Sequence, residues 1–271
     1  MHDTLREVEV SITNRCSLAC RDCGFFVPKQ PKPSLGDGLS DLFCGMKQLK
    51  RVGIRIASLG VLGGEPTLSR TQLEVAVTGF RAIDIAERIE VVSNGLTPQG
   101  LSPAALQAMN RLTISVYGYE DSLLNAWMHW MSLAAPHVEM VFRHNAEGWD
   151  PWTESRRVSP EEAQGMYDAC WYRKHCITLE RGRLFACSRV PKLGRDEEGL
   201  LLTSRTTLEE ISAHLHRTDA LRSCTDCTPM MGLPTVPPGV QSDGRIELLQ
   251  RRAFIWLERD IQRLLREETQ P

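Results

Sequence analysis

Cys16, Cys20 and Cys23 form a CxxxCxxC run directly after the β-branched, apolar stretch 8–13. Thiolates at that spacing, on a loop leaving a strand, can wrap one soft metal centre. Three ligands leave a [4Fe–4S] cluster with one iron open to an exogenous partner, whereas a structural zinc site closes itself with a fourth residue. The missing fourth ligand therefore points to chemistry at the metal. Two further loops have matching chemistry. One apolar run ends in Gly63-Gly64-Glu65-Pro66 and the next in Ser93-Asn94-Gly95. Glycines at the carboxyl end of a parallel strand let backbone approach a ligand closely. Each segment alone reads as an ordinary βα turn. Three in consecutive βα loops, the first carrying the cysteines, build one site on one face of a sheet.

The elements that must position these loops alternate. Apolar runs at 8–13, 56–62, 89–93, 112–117 and 138–142 read as five strands buried on both faces. Helical patterns fill the gaps at 40–52, 70–86, 102–110 and 121–134. Starts are expected at Ser40 with Asp41, at Ser102 with Pro103 as first helical residue, and at Asp121. Repeated βα units imply a parallel sheet. Beyond residue 145 the style changes. The stretch 144–152 holds Gly148, Pro151 and two tryptophans and reads as a connecting or lid-like loop. Ser159-Pro160-Glu161-Glu162 opens a short helix, and 176–187 reads as a β-hairpin about Arg181-Gly182. A helix over 206–222, a proline-rich linker at 229–238 and an amphipathic helix over 246–265 follow, the last expected to pack on the sheet domain.

The second half holds five more cysteines, Cys170, Cys176, Cys187, Cys224 and Cys227. A hairpin cysteine followed by the CxxC of Cys224 and Cys227 suits a second soft-metal site, which zinc in tetrahedral S4 geometry also fits. Cys44, on an apolar helix face, reads as a small hydrophobe. Arg143 and His144 end the fifth strand on the ligand face and read as substrate or cofactor contacts, or as a solvated turn. Tyr117 and Tyr119 read as core or rim packing, Trp149 and Trp152 as a substrate cover or a staple of the connecting loop, and Arg156 with Arg157 as a solvated pair.

Composition excludes several classes. At 271 residues with 42% hydrophobic content the chain can bury one full domain plus an appendage. A formal charge of −2 and 6% aromatics leave no footprint for nucleic acid or an acidic membrane. No run approaches the length of a membrane span, and the opening Met1-His2-Asp3-Thr4 does not read as a signal peptide. Nine cysteines without one read as ligands, so a cytoplasmic location is expected.

Over residues 6–145 the motifs resemble the radical S-adenosylmethionine (SAM) superfamily in type, order and spacing. The resemblance implies an α/β fold: an abbreviated partial TIM barrel of about five or six parallel strands with helices outside, plus a small cysteine-rich hairpin and helix domain. It implies that Cys16, Cys20 and Cys23 hold a [4Fe–4S] cluster whose open iron takes the amino and carboxylate groups of SAM. Gly63, Gly64, Glu65 and Pro66 match the motif that receives the methionine amino group, and Ser93 and Asn94 lie where the family contacts ribose or carboxylate. One departure is Asp22, where the family carries an aromatic beside adenine; Phe25 or Phe26 is the substitute. The run Cys170-x11-Gly182-x4-Cys187 and the later CxxC resemble the twitch form of the SPASM auxiliary-cluster domain. That favours Cys170, Cys187, Cys224 and Cys227 as ligands of an auxiliary [4Fe–4S] cluster, with Cys176 in reserve. The expected division is 1–150 barrel, 151–240 auxiliary domain and 241–271 terminal helix.

Reductive cleavage of SAM and hydrogen-atom abstraction are what the resemblance implies, with an electron donor such as flavodoxin or ferredoxin. With no segment before Val8 to house a peptide-recognition domain, the expected substrate is a small molecule. Barrel plus twitch resembles in architecture the 2-deoxy-scyllo-inosamine dehydrogenases. The expectation is an oxidoreductase dehydrogenating a small hydroxylated, sugar- or aminocyclitol-like natural-product intermediate. Alternatives are a maturase acting on a ribosomally made peptide by epimerisation or cross-linking, a sugar epimerase or dehydratase, and a zinc or iron–sulfur regulatory protein without SAM chemistry.

Overall fold

A computed structural model describes residues 4–30, 38–154, 156–241 and 243–268. The first three residues of the opening read against a signal peptide, and the last three of the terminal segment, lie outside them. Four βα units and a fifth strand come first: β1 (Thr4–Ser11), α1 (Leu39–Arg51), β2 (Arg55–Leu62), α2 (Arg70–Ile83), β3 (Ala86–Ser93), α3 (Pro103–Ala108), β4 (Arg111–Val116), α4 (Asp121–Ala134) and β5 (Glu139–His144). The second half adds α5 (Pro160–Ala169), α6 (Tyr172–His175), β6 (Ile177–Glu180), β7 (Arg183–Phe185), α7 (Arg189–Lys192), β8 (Leu200–Leu201), α8 (Leu208–Leu215) and α9 (Arg245–Glu268).

One sheet of eight strands runs β5-β4-β3-β2-β1-β6-β7-β8. From β5 to β6 every pairing is parallel, and β7 and β8 close the sheet antiparallel. The expected α/β architecture and its parallel strands are present. The hairpin of the cysteine-rich half is not detached from them: β6 docks on β1 with Val8 opposite Ile177, so the sheet crosses residue 150 without a break.

Side chains alternate across each strand. Val8, Val10, Leu59, Ile89, Val91, Leu112 and Ile114 are buried in the main apolar core. The opposite face is polar. Thr113 donates to Glu90 at 2.6 Å, Arg88 to Ser58 at 3.2 Å, and Arg111 and Arg143 lie 3.8 and 4.0 Å from the Glu90 carboxylate. The reading of five strands buried on both faces therefore holds in the centre, where β4 is buried from Leu112 to Val116, and fails at the margins. β5 is an edge strand with no fully buried residue, and β1 alternates buried valines with partly exposed Glu7, Glu9 and Ser11.

Side-chain caps start α2, α3, α5 and α8. Ser102 accepts from the Ala105 N–H with Pro103 at the first turn, and Ser159 and Glu162 form a reciprocal capping box. The first helix departs from expectation: its N-cap is Gly38 with φ +88°, not Ser40. Cys44 is exposed on α1, so it is not the small core hydrophobe expected. The helix expected over 206–222 is shorter, because Thr207 and Glu210 cap α8 and the chain leaves it at His216. The terminal helix packs on α4, as expected. Ala253, Leu257 and Ile261 are buried at i, i+4, i+8, Trp130 meets Trp256 edge-on at 5.6 Å, and its indole N–H donates to Asp260 at 2.9 Å. Among the described residues no helix is long and apolar enough to cross a membrane.

Candidate metal and substrate site

The carboxyl ends of β1, β2 and β3 bring the three motif loops to one cavity of about 260 Å³. Cys16, Cys20 and Cys23 line it with Gly63, Gly64 and Glu65, and Ser93 with Asn94 completes that side. Pro66 does not line it; it is buried as the first residue of a 3₁₀ turn over Pro66–Leu68.

The glycines that line the cavity are also pressed by the cysteine loop. Gly64 N–H donates to Thr13 O and Glu65 N–H to Arg15 O, both at 2.7 Å. A Cβ on Gly63, whose φ is +145°, would stand 2.4 Å from Thr13 O, and one on Gly64 would stand 2.1 Å from Arg15 O. Both residues are therefore glycine because the cysteine loop's own backbone lies against them. Glu65 is a buried hub. One oxygen accepts from Thr67 N–H (3.0 Å), Thr67 O–H (2.6 Å) and Ser93 O–H (2.7 Å), and the other from Asn94 N–H (2.6 Å). Burial pushes its carboxyl up, against hydrogen bonds from Thr67, Asn94 and Ser93 that favour the anion. Asn94 then reaches the cysteine loop, its amide donating to Ser17 at 2.9 Å.

Asp22, the departure from the family pattern, is buried as well. Its oxygens accept from Thr153 O–H at 2.6 Å and Arg21 Nε at 2.9 Å, tying the cysteine loop to the loop after β5. Burial works against its ionisation, but these hydrogen bonds outweigh it and hold its pKa below the ordinary carboxylate range. Phe25 lines the cavity; Phe26 does not, and stacks elsewhere.

The far wall comes from β1, β4 and β5 and the loop beyond: Glu9, Ser115, Tyr117, Arg143, Trp149 and Trp152. Arg143 is placed there as expected, and Asn145 joins it in place of His144. Tyr117 is wall rather than plain packing, edge-on to Trp149 at 5.5 Å. Tyr119 is core, donating to Asn94 O at 2.6 Å. Both tryptophans line the cavity, and Trp149 also pairs through its backbone with Val236. The stretch read as a proline-rich linker is thus tied to this wall through Val236, and Gln241 lies just beyond it. The Gln241 side chain accepts from Ala19 N–H at 2.7 Å and donates to the Cys20 sulfur at 3.0 Å. No local signal marks Gln241, which lies 221 residues from its partner. Glu9 did carry a signal, as a charge within a β-branched strand.

All three motif thiols are shielded from water to some degree. Burial, with Glu65 nearby, pushes Cys16 up to about 12, and burial pushes Cys20 up to about 11 against a hydrogen bond from Gln241. Sulfurs held neutral this way become thiolates when a cationic centre binds. The second group is similar. Cys187 and Cys224 are each pushed up to about 12 by burial, and the neighbouring thiols that raise them include Cys170 and Cys227 for both. Cys176, at the C-cap of α6 just before the hairpin, belongs to the same neighbourhood: burial raises it first, then Glu9 and Cys187, with Cys170 also contributing. Among the described residues no three His, Cys, Asp or Glu side chains converge closely enough to hold a single metal ion. The donor set fits a larger centre: soft sulfurs on the wall of one cavity, with N–H donors from Asn94 and Gln241 directed at Cys16 (3.8 Å) and Cys20.

No family model matches the chain. Over 132 residues it is 28% identical to the GTP 3',8-cyclase of Staphylococcus aureus (strain JH9), covering 45% of this chain and 37% of that one. Over 122 residues it is 32% identical to the GTP 3',8-cyclase of Limosilactobacillus fermentum, covering 43% and 34%. These relatives support the radical SAM superfamily. The chain matches only about a third of their length. Among solved structures it is similar to BtrN in complex with AdoMet and 2-DOIA, with TM-score 0.45, 15% identity, and coverage of 80% of this chain and 84% of that one. For a radical SAM protein, the three cavity-lining thiols are the residues that would carry the cluster.

Proposed function

We propose that this chain is a radical SAM oxidoreductase that dehydrogenates a small hydroxylated, sugar- or aminocyclitol-like substrate. The observation that carries the reading is the meeting of Cys16, Cys20 and Cys23 with Gly63, Gly64, Glu65 and Asn94 at one cavity. In this reading the three thiols hold a [4Fe–4S] cluster, and SAM lies between it, the Gly63–Gly64 backbone and Phe25. When bound, that pair supplies reductive cleavage of SAM and hydrogen-atom abstraction from an unactivated C–H bond. The protein holds the substrate carbon and excludes water. Ser115, Arg143, Asn145 and Glu9 offer polar groups for hydroxyls, and Tyr117, Trp149 and Trp152 offer aromatic faces for a ring. Oxidation by two electrons leaves one electron and one proton on the substrate side after the hydrogen atom has gone. Cys170, Cys187, Cys224 and Cys227 would hold the auxiliary cluster, which would supply the electron acceptor; Glu9, whose Oε2 is buried without a partner, takes the proton. Flavodoxin or ferredoxin is the reductant of the first cluster.

The test is anaerobic reconstitution with iron and sulfide, then reduction with SAM and chromatography for 5′-deoxyadenosine. Formation that disappears in the Cys16→Ala/Cys20→Ala/Cys23→Ala variant is expected. Cleavage retained in that variant would sink the assignment. Iron near eight per chain, as two four-iron clusters require, supports the auxiliary site; iron near four removes the dehydrogenase reading.

A further inference from the structure

Arg189 opens α7, two residues after Cys187, and is 5% exposed. Its guanidinium lies 5.1 Å from the ring centres of both Phe26 and Trp152. Of its side-chain nitrogens, Nη2 donates to Asp226 O at 3.2 Å, while Nε and Nη1 are buried with no partner. Asp226 sits between Cys224 and Cys227 in sequence, and the Arg189 backbone N–H bonds the Cys187 thiol. Neighbouring carboxylates are already engaged: Asp226 with Arg195 at 3.0 Å, and Asp150 with the Tyr172 hydroxyl. A guanidinium does not deprotonate in a protein, so this is a buried cation with two idle donors and no carboxylate of its own. Such an arrangement is costly unless an anion answers it. The groups that chain position offers are sulfurs: Cys187 lies two residues before Arg189, and Cys224 and Cys227 flank the Asp226 carbonyl that accepts from it.

We propose that Arg189 is the counter-charge and hydrogen-bond donor of the centre held by Cys170, Cys187, Cys224 and Cys227, and that it sets the potential of that centre. The inference rests on the auxiliary-cluster reading above. A [4Fe–4S]²⁺ core with four thiolates carries two negative charges, and taking up one electron makes it three. A buried cation donating N–H bonds to the sulfurs favours the more negative state and raises the reduction potential. Arg189 is a positioning and tuning residue here, because it acts on the cluster through its sulfurs. Its stacking between Phe26, near the Cys23 end of the first loop, and the cavity tryptophan Trp152 locks the guanidinium in place.

The experiment is an EPR-monitored redox titration of the reconstituted full chain, comparing wild type with Arg189→Gln, and with Arg195→Gln as a control on the same Asp226 segment. In Arg189→Gln, the reduced-to-oxidised ratio of the second cluster at fixed potential is expected to fall at least tenfold, which is 59 mV for a one-electron couple. The SAM-site cluster should not move, and Arg195→Gln should leave both unchanged. An unshifted second cluster with iron still near eight overturns the inference and leaves the two-cluster reading standing. An equal shift in Arg195→Gln also overturns it, since disturbing the segment would then suffice. Wild-type protein loading only four irons overturns both. Should Arg189→Gln fail to load the second cluster, Arg189→Lys, which keeps the charge but not the planar fork, carries the test. A lowered potential supports the inference and an unchanged one overturns it.

Discussion

Single residues do the most work where a polar group is buried among polar partners. Glu65 meets four donors and offers none, so Glu65→Gln turns an amide N–H₂ toward groups that are themselves donors. With about 1–3 kcal/mol for each orphaned buried group, the variant is expected to lose roughly 2–4 kcal/mol in urea unfolding; a loss below about 1 kcal/mol would deny Glu65 its hub role. Glu9 acts in the opposite sense. Burial and Glu7 push its carboxyl from 4.5 up to about 7, against Lys192 and Arg143. The folded chain then holds a proton that the unfolded chain releases above its own lower pKa. Stability should therefore be highest at and below the unfolded value, fall as pH rises from 4.5 to about 7, and level off beyond. At 1.36 kcal/mol per pKa unit the effect is at most about 3 kcal/mol. Glu9→Gln should flatten this slope in unfolding curves at pH 5 and pH 8, and an unchanged slope would remove Glu9 as its source.

At the scale of elements, the cysteine loop is held by its neighbours rather than by itself. The Gly63–Gly64 backbone on one side, Asn94 on another, and the Asp22–Thr153 and Gln241–Cys20 links clamp it before any metal arrives. Gly64→Ala, with its Cβ 2.1 Å from Arg15 O, cannot coexist with that clamp. The expected outcome is loss of the first cluster's iron and of 5′-deoxyadenosine formation, with the second cluster retained. Normal SAM cleavage in Gly64→Ala would show that the loop finds its geometry independently. The motif was legible in the sequence because it ends one of three consecutive strand-like runs whose loops carry matching chemistry. The reason for the glycines was not, since it depends on which backbone lies across them. Gln241 was invisible for the same cause: its partner is brought by the path of the chain after α8.

Over the whole molecule, the parallel sheet and the terminal helix behave as one packing unit. Leu257 is fully buried in the main core cluster, where α9 covers α4. Leu257→Ala is expected to cost about 2–5 kcal/mol and lower the urea midpoint of the complete unfolding transition. A separate early transition for α9 would instead mean that the helix is an appendage. The β1–β6 pairing crosses residue 150 and sets Cys176 and Cys187, at the two ends of the hairpin, beside the sheet whose strand ends carry the first cysteine group. Nothing local announces that pairing, because residues 177–180 read equally well as the first arm of an isolated hairpin.

What the chain determined by itself is what local chemistry can specify. The strand periodicity, the Ser102 and Ser159 caps, the soft-ligand triplet and the polar strand ends all follow from residue type and short spacing. Tertiary structure decided what depends on distant segments. Only it made the inner face of the sheet a charged wall, joined the hairpin to β1, brought Gln241 to Cys20 and buried Arg189 against Phe26 and Trp152. The physical reason is that a side chain's burial and partners, unlike its periodicity, are set by whatever the rest of the chain lays against it.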